Sequence, residues 1–542
     1  MAARPSTSAA AALLLLQLLQ PRAARAQLPD QVHLSLSGVA NEMVVEFVTH
    51  SAPPAGGAAY VLFSTDPSTL IAPSTPTPPN ASSYPGLWRG AGYLIDGYDL
   101  FAANMTVAAG AAWCEGNASC AGFTFADADE TCGGRVCYLY FKTGLQFAAS
   151  GGWTTLYKTP QPIPNATATS FEYMNATLGP IGWMNTAVLR NLLPNTRYYY
   201  VCGEGASDWS PLKWFVNAPA DRDPIFAIFA DFGYVNDESV VALYADTEAQ
   251  AFDYIVHAGD FAYDFDTNNG LVGNDYMRMA EGFASFAPYM PAPGNHESHL
   301  NYSQYQARFA GVAANAGANS GSGSALYYSL DIGLVHWVFF STEVFWSQAD
   351  VVESQLNWLK ADLAKANANR AAVPWIVVAG HKAWNMDNNG ACGEGGASCT
   401  NATWSDSLMH DFGADLFFVG HMHEYRRFSP AYGTKGLVDT ASMSADTHTV
   451  TDPKYLVTIT SGVVGCPEVQ PASCGGPTPG DPANPTAACS RNYGYGYLTI
   501  HNATHASWRW RTSVPHAGSP DPFYSDTMEI VVNSHGPRPP VS

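Results

Sequence analysis

Five short motifs between Asp231 and His423 each set a metal-ligating side chain at or near the end of an apolar run. They are Asp231 in Ala-Asp-Phe-Gly, Asp260 and Tyr263 in Gly-Asp-Phe-Ala-Tyr, Asn295 in Gly-Asn-His-Glu, His381 in Val-Ala-Gly-His, and His421 and His423 in Gly-His-Met-His. These residues make up a ligand set for two cations. Carboxylates and a phenolate suit a hard trivalent ion, whereas imidazoles and an amide oxygen suit a borderline divalent ion such as zinc, iron or manganese. Two ions about 3.5–4 Å apart can share a hydroxide and clamp a phosphoryl group for in-line attack. A metal lowers the pKa of bound water, so this chemistry needs no serine or cysteine nucleophile. Gly-His-x-His alone is a weak signal; the specificity lies in all five motifs in this order.

Residues so far apart in sequence must be brought together by a scaffold. From about residue 222 apolar runs (225–229, 254–256, 375–378, 416–419) alternate with helical patterns such as 348–365, where Val352, Leu356, Leu359 and Leu363 share a face. Continuous apolar strands imply sheets covered on both faces. Ligands in open α/β sheets bind beyond the carboxyl ends of the strands, which is where most of the motifs fall. Gly294-Asn295 is expected to be the exception, entered through a Pro-rich turn. Gly259, Gly294 and Gly420 are expected to let the backbone turn sharply beside the ligands.

The texture upstream is different. Residues 31–65, 196–202 and 212–216 read as short strands, with Val32, Leu34 and Leu36 alternating and Met43, Val45 and Phe47 doing so more loosely. Asn195-Thr196-Arg197-Tyr198 after a Leu-Leu-Pro turn resembles a fibronectin type III-like module. A segment from about 88 to 158, with Cys114, Cys120, Cys132 and Cys137, interrupts it as a small stapled insert. Its Cys-x-Gly-Phe-Thr-Phe and Cys-Tyr-Leu runs faintly resemble apple/PAN-type modules, which leaves glycan contact open beside a purely structural role.

The motif set resembles that of the metallophosphoesterase superfamily and, within it, the purple acid phosphatases. The wider superfamily has Asp-x-His as its first motif; here Gly233 stands in place of that His, and Tyr263 can restore the ligand. This swap marks the purple branch, whose colour comes from tyrosine-to-ferric charge transfer. Gln31 to Leu36, Asn195 to Cys202, Pro288 to Pro293, Ser341-Thr342-Glu343 and Gly465-Cys466-Pro467-Glu468 are similar to the family, the last three to its animal-type branch. The resemblance implies an α/β + β fold class: an N-terminal fibronectin type III-like β-sandwich followed by a four-layer α/β/β/α metallophosphoesterase domain. The expected division is 1–26 signal peptide, 27–87 with 159–219 sandwich, 88–158 insert, 220–533 catalytic domain and 534–542 tail.

The resemblance also implies roles. Asp231, Tyr263 and His423 would hold Fe(III); Asn295, His381 and His421 a divalent metal (Zn, Fe or Mn); Asp260 would bridge both; and His296 would hydrogen-bond the substrate phosphate. The implied activity is acid phosphatase, hydrolysing small phosphate monoesters by attack of a metal-bound hydroxide. A nucleotide pyrophosphatase or phosphodiesterase with the same site is the first alternative, and a non-catalytic glycan-binding protein using the insert the second. Plant-type members carry a histidine pair soon after the position of His381, but residues 382–390 here contain none. The leaving-group proton donor is thus left among His296, a metal-bound water and a residue of the loop between Cys392 and Cys399.

Composition sets outer bounds. The 542-residue chain carries a formal charge of −21, which disfavours nucleic acid as a partner. Arg4, the apolar stretch Ala9 to Leu19 and Ala24-Arg25-Ala26 read as a cleavable secretory signal, and no later stretch reads as a membrane span. A secreted or secretory-lumen location is expected. The 10 cysteines fit an oxidising compartment; Cys392 and Cys399 could close a loop, while Cys466, Cys474, Cys489 and Cys202 leave the pairing open. Sequons at Asn80, Asn104, Asn117, Asn165, Asn175, Asn301, Asn401 and Asn502 are candidate glycosylation sites. His257, His299, His336, His410 and His448 read as packed or surface residues, Asp264 and Asp266 as solvated loop acids, and Glu297 as a loop support. The oligomeric state is not encoded in any of these features.

Overall fold

An apolar run of five residues loses its stabilising burial unless both faces of the strand are covered. In the computed structural model the four runs named above are interior strands: Ile225–Phe229, Tyr254–Ala258, Trp375–Ala379 and Leu416–Val419. The model describes residues 28–541 apart from short stretches, chiefly 54–57, 68–69, 71–79, 82–86, 95–98, 143–146, 149–152, 159–164, 176–178, 205–207, 218–221, 384–402, 471–473 and 516–522. The signal-like segment, the Cys392–Cys399 loop and Asn401 therefore lie outside the described residues. The chain divides into two compact units, one of 1–59, 167–196 and 215–542, the other of 60–166 and 197–214.

The larger unit contains two seven-stranded sheets. One runs in the order Tyr289–Ala292, Tyr254–Ala258, Ile225–Phe229, Gly494–Ile500, His505–Thr512, Tyr524–Val531, Thr449–Thr451, and its first three strands are parallel. The other runs Tyr328–Ile332, Val335–Phe339, Trp375–Ala379, Leu416–Val419, Val457–Ser461, Tyr425–Phe428, Thr486–Ser490, with four consecutive parallel strands from Val335–Phe339 to Val457–Ser461. The main core fills the space between the sheets: Phe226 meets Trp337 at 5.1 Å and Phe418 meets Trp508 at 5.1 Å between ring centroids. Helix Leu271–Ala284 covers the first sheet through Phe283 against Phe229 and Phe232. Helix Ala349–Ala368 covers the second, with Leu359 and Leu363 packed among Val338, Ile376, Val378 and Phe417. The fold is thus α/β + β, with the layers helix, sheet, sheet, helix.

Two expectations are corrected here. Tyr289-Met290-Pro291-Ala292 is not a turn but a strand paired in parallel with Ile255 to Ala258. It lies at the sheet edge, where Pro291 removes no needed hydrogen bond. The buried face of helix Ala349–Ala368 is also rotated. Gln355 and Asp362 are buried while Val352 and Leu356 are only half-buried. Both polar groups are satisfied: the Gln355 amide donates to Ser341 O (2.9 Å) and accepts from Ser341 N (3.1 Å), and Asp362 accepts from Ser329 Oγ at 2.6 Å.

Strands Asp30–Ser35, Met43–Thr49, Gly179–Leu189 and Thr169–Asn175 form an antiparallel sheet in the same unit. Met43–Thr49 is buried at every position, so the alternation expected there is absent. Its Glu46 accepts from Gly311 N at 2.6 Å, and Leu34 bridges to Pro288, so this sheet is seated on the body that carries the metal motifs.

In the smaller unit a six-stranded sheet, including Asp99–Thr106, Gly122–Phe125, Val136–Lys142 and Thr154–Lys158, carries helix Val107–Gly116. Its core is Phe123, Phe125, Leu139, Phe141 and Leu156 with Cys114–Cys120 and Cys132–Cys137 as staples. Among the sequons, Asn104, Asn165, Asn301 and Asn502 are exposed and Asn117 is half-buried; the side chains of Asn80 and Asn175 lie outside the described residues. Among the described residues no helix is long and apolar enough to cross a membrane.

Candidate metal centre

All five motifs converge at the carboxyl ends of the parallel strands. Asp231 follows Ile225–Phe229, Asp260 follows Tyr254–Ala258 and Asn295 follows Tyr289–Ala292, all in one sheet; His381 follows Trp375–Ala379 and His421 follows Leu416–Val419 in the other. The turns that carry them are tight. Asp231, Asp260, Tyr263 and His421 all adopt positive φ (62°, 57°, 50° and 69°), a conformation that costs non-glycine residues about 1–3 kcal/mol and persists only where the surroundings impose it. Gly259 (φ 90°) does supply a turn. Gly294 and Gly420 are needed instead for closeness: a Cβ on Gly294 would lie 2.2 Å from Asp260 Oδ1, and one on Gly420 would lie 2.4 Å from Asp231 Oδ2.

The donors fall into two groups. In the first, Tyr263 OH is 3.3 Å from Asp231 Oδ1 and 3.1 Å from His423 Nε2, which is 3.5 Å from Asp231 Oδ1. In the second, His381 Nε2 is 3.0 Å from Asp260 Oδ2 and 3.2 Å from Asn295 Oδ1, and one ligand atom each from Asp260, His381 and His421 fit within 4.8 Å of one another. Backbone groups fix the orientations. His381 Nδ1 meets Ala258 O at 2.9 Å, which turns Nε2 toward Asp260. Asp231 accepts from His421 N–H at 2.9 and 3.1 Å. Glu297 accepts from Gly294 N, Phe261 N and Asp260 N at 2.7, 2.9 and 3.0 Å, tying two motif turns together.

The electrostatics call for positive charge. Burial alone would lower His381, but the Asp260 carboxylate against it raises it to about 10. Burial would likewise lower His423, yet Asp231 and Cys466 lift it to about 11. His421, buried beside His381 and Lys382, falls to about 2. Burial and the Asp231 and Asp260 charges push the Tyr263 phenol well above its usual range. The carboxylates thus hold protons on two imidazoles at neutral pH, and a pair of cations in their place would satisfy the same charge while freeing nitrogen and phenolate donors. Donor chemistry, spacing and charge all fit two metal ions.

His296 sits beside the cluster, half-buried. Its Nδ1 is 2.6 Å from Asp264 Oδ1, and its Nε2 is 3.5 Å from Glu468 Oε1 and 3.9 Å from Asp260 Oδ2. Asp264 is 44% exposed, in line with the solvated loop acid expected, and it also orients this imidazole. Cys466 and Glu468 join His423 in a further cluster of potential ligand atoms within 4.8 Å of one another. Both lie in the Gly465-Cys466-Pro467-Glu468 run already noted for its likeness to the animal-type branch, but neither was read as a site residue; Cys474 pairs with Cys489 and leaves Cys466 a buried thiol. The five histidines read from sequence as packed or surface residues are not among the donors: His299 pairs at the surface with Asp266, His257 is packed against Tyr289, His336 is held by two aspartates, His410 meets Pro539 O and His448 is exposed.

Three family sequence models match in order. The calcineurin-like phosphoesterases match residues 224–425, the purple acid phosphatase N-terminal domain 146–217, and the iron/zinc purple acid phosphatase-like protein C domain 455–519. Human acid phosphatase type 7 is 35% identical over 343 residues, covering 60% of this chain and 72% of that protein. The chain belongs to the purple acid phosphatase family. Among further relatives of this purple acid phosphatase, Arabidopsis thaliana purple acid phosphatase 22 is 30% identical over 349 residues, covering 63% of this chain and 71% of that protein. The fold is shared with purple acid phosphatase PPD1 from yellow lupin seeds (TM-score 0.59, 15% identity, 93% of this chain and 75% of that one). The purple acid phosphatase is therefore a metal-dependent phosphatase, and small phosphate esters are its class of substrate.

Proposed function

We propose that this purple acid phosphatase hydrolyses phosphate monoesters with one ferric ion and one divalent cation, zinc, iron or manganese. Asp231, Tyr263 and His423 would hold the ferric ion, Asn295, His381 and His421 the divalent one, and Asp260 would serve both. The observation that carries this reading is the partition of the donors into two groups whose neighbours stand 3.0–3.5 Å apart. Ligands bound at about 2.0–2.2 Å and set at right angles are about 3 Å from one another. When bound, the cations supply Lewis acidity that polarises the phosphoryl group and acidifies water.

The protein's own residues do the rest. The positive-φ turns and the Glu297 clamp hold the donors in place before substrate arrives. Asp264 fixes His296 with Nε2 facing the cluster, where a protonated ring can donate to a phosphate oxygen and then pass its proton to the departing alcohol oxygen. A secretory or extracellular location is supported by the signal-like N-terminus and by the disulfides of the insert.

The test is p-nitrophenyl phosphate turnover by the purified protein from acidic to mildly alkaline pH, with metal content and visible spectrum measured alongside. Turnover best at acidic pH, about two metals per chain and an absorption band that disappears in Tyr263→Phe are the expected results. Absence of turnover at every pH in a metal-loaded protein would sink the reading. Faster cleavage of a bis-ester or of ATP would replace it with a phosphodiesterase or nucleotide pyrophosphatase.

A further inference from the structure

The insert carries an aromatic patch that its own core leaves outside. Strand Val136–Lys142 turns Leu139 and Phe141 toward helix Val107–Gly116, where a Cβ on Gly110 would lie 2.3 Å from Leu139 Cδ1. Successive side chains of a strand point to opposite faces. Val136, Tyr138 and Tyr140 therefore stand on the face away from the helix, and Val136 is 60% and Tyr138 47% exposed. Tyr138 meets Tyr140 edge to face at 4.9 Å between ring centroids, and Tyr140 meets Trp153 at 6.2 Å.

The neighbouring strand, Asp99–Thr106, is the outermost of this sheet, and its register sets Asn104 opposite Tyr138. Directly opposed residues of an antiparallel pair share a face, with Cβ atoms about 4.5–5.5 Å apart. Asn104 is exposed and opens the sequon Asn104-Met105-Thr106. The other sequon of the insert, Asn117, is half-buried, and its side-chain oxygen is engaged by Ser119 N–H at 3.0 Å. A sugar chain on Asn104 is thus rooted beside the patch, within reach of the Tyr138 ring.

We propose that Asn104 carries an N-linked glycan whose first sugar lies on Tyr138 and covers this patch. The proposal rests on the secretory location read above. There the Asn104 side-chain nitrogen attacks the anomeric carbon of an oligosaccharide carried on a lipid pyrophosphate. A C–N bond forms, the C–O bond to the pyrophosphate breaks, and the amide gives up one proton. A sugar presents C–H groups on one side and hydroxyls on the other, which suits an aromatic ring that is apolar on its face and half in water. The covered patch no longer exposes apolar surface, and the bulk on the outermost strand keeps a second chain from pairing with it.

The full chain, secreted from a eukaryotic host, tests this. Glycopeptide mass spectrometry should find Asn104 occupied. Hydrogen exchange in strand Val136–Lys142 follows local opening and reads the contact. It should quicken by up to about fivefold in Asn104→Gln and in Tyr138→Ser, the range of one cross-strand contact, with the double variant no faster than the quicker single one. Enzymatic trimming to the first sugar should leave the wild-type rate. Asn104 bare while other sequons are occupied overturns the proposal. Single variants that exchange at the wild-type rate, additive effects in the double variant, or protection lost on trimming overturn it as well. A chain with every sequon bare overturns the secretory reading and this proposal with it.

Discussion

Two buried clusters in the larger unit set an aspartate beside a tyrosine, and they settle the charge in opposite ways. Asp526 accepts from Arg427 Nε at 2.7 Å, from Arg427 Nη2 at 2.9 Å and from Tyr425 OH at 2.5 Å, while Trp508 Nε1 donates to that phenol at 3.0 Å. The Arg427 Nη1 donor goes to Thr447 O at 2.8 Å. Tyr425, Arg427 and Asp526 all sit in regular strands. Asp231 and Asp260 have no such companion: among the described residues their recorded ion pairs are all to imidazoles, His423, His381 and His296. Their backbones, with that of Tyr263, are in the left-handed region. A cluster that serves only stability contains its own permanent cation on relaxed backbone. A cluster that leaves the cation out, and holds its donors in costly turns, is shaped for a cation from solution.

The largest expected effect lies on the side lacking a fixed cation. Asp260 is buried and within 3.0 Å of His381 Nε2. Asp260→Asn removes the carboxylate that, in the proposed reading, would serve both cations, while keeping the shape. Phosphatase activity should fall by about 10⁴-fold, equivalent to ~5.4 kcal/mol in the barrier, and less than two equivalents of metal should remain by elemental analysis. Retention of both metals and of activity within about tenfold would remove Asp260 from the centre.

Much of this contrast was legible in the sequence, and what was not has physical causes. The motif donors could be read because each lies within a few residues of an apolar strand, so ligand type and position are local facts. Asp264 escaped because its meaning depends on His296, which lies 32 residues away. Cys466 escaped because disulfide partners cannot be assigned from spacing, and only the Cys474–Cys489 bond sets it apart. The strand holding Pro291 was hidden by a residue that disfavours sheets everywhere but at an edge. The burial of Gln355 and Asp362 was not legible because helical periodicity weighs apolarity alone, whereas a buried polar group with its partners in place costs little. The Arg427–Asp526 pair, 99 residues apart, left no local trace at all.

A smaller effect, of a different kind, is expected on the internally neutralised side. Arg427→Met leaves Asp526 buried with only the half-exposed His448 imidazole, 3.7 Å away, for a partner, and breaking one half of such a buried pair costs about 3–5 kcal/mol. Denaturant unfolding should show that loss, while metal content per folded molecule stays at the wild-type level. If the variant folds normally but loses metal, the two clusters are coupled and the contrast between them fails.

The smallest effect comes from a third cluster that lies between these two extremes, because its cation is a proton. His336 Nδ1 is 2.7 Å from Asp331 Oδ1 and Nε2 is 2.9 Å from Asp362 Oδ2, with Ser329 Oγ also donating to Asp362. Burial alone would lower the imidazole, but the two aspartates outweigh it and raise it to about 9. The folded protein thus binds this proton more tightly than the unfolded chain, where histidine titrates near about 6.5. The stabilisation is fully present below about pH 6.5 and is lost as pH rises through about 9. Asp331 is 48% exposed and its share is screened, so roughly 1–2 kcal/mol is expected, mainly from Asp362. Urea unfolding of wild type and His336→Gln between pH 6 and 10 reads it out. The wild type should lead at the acidic end, with the gap closing toward pH 10. A gap that stays constant, or widens with pH, would show that His336 is held neutral and that this cluster, like that of Asp526, owes nothing to a cation from solution.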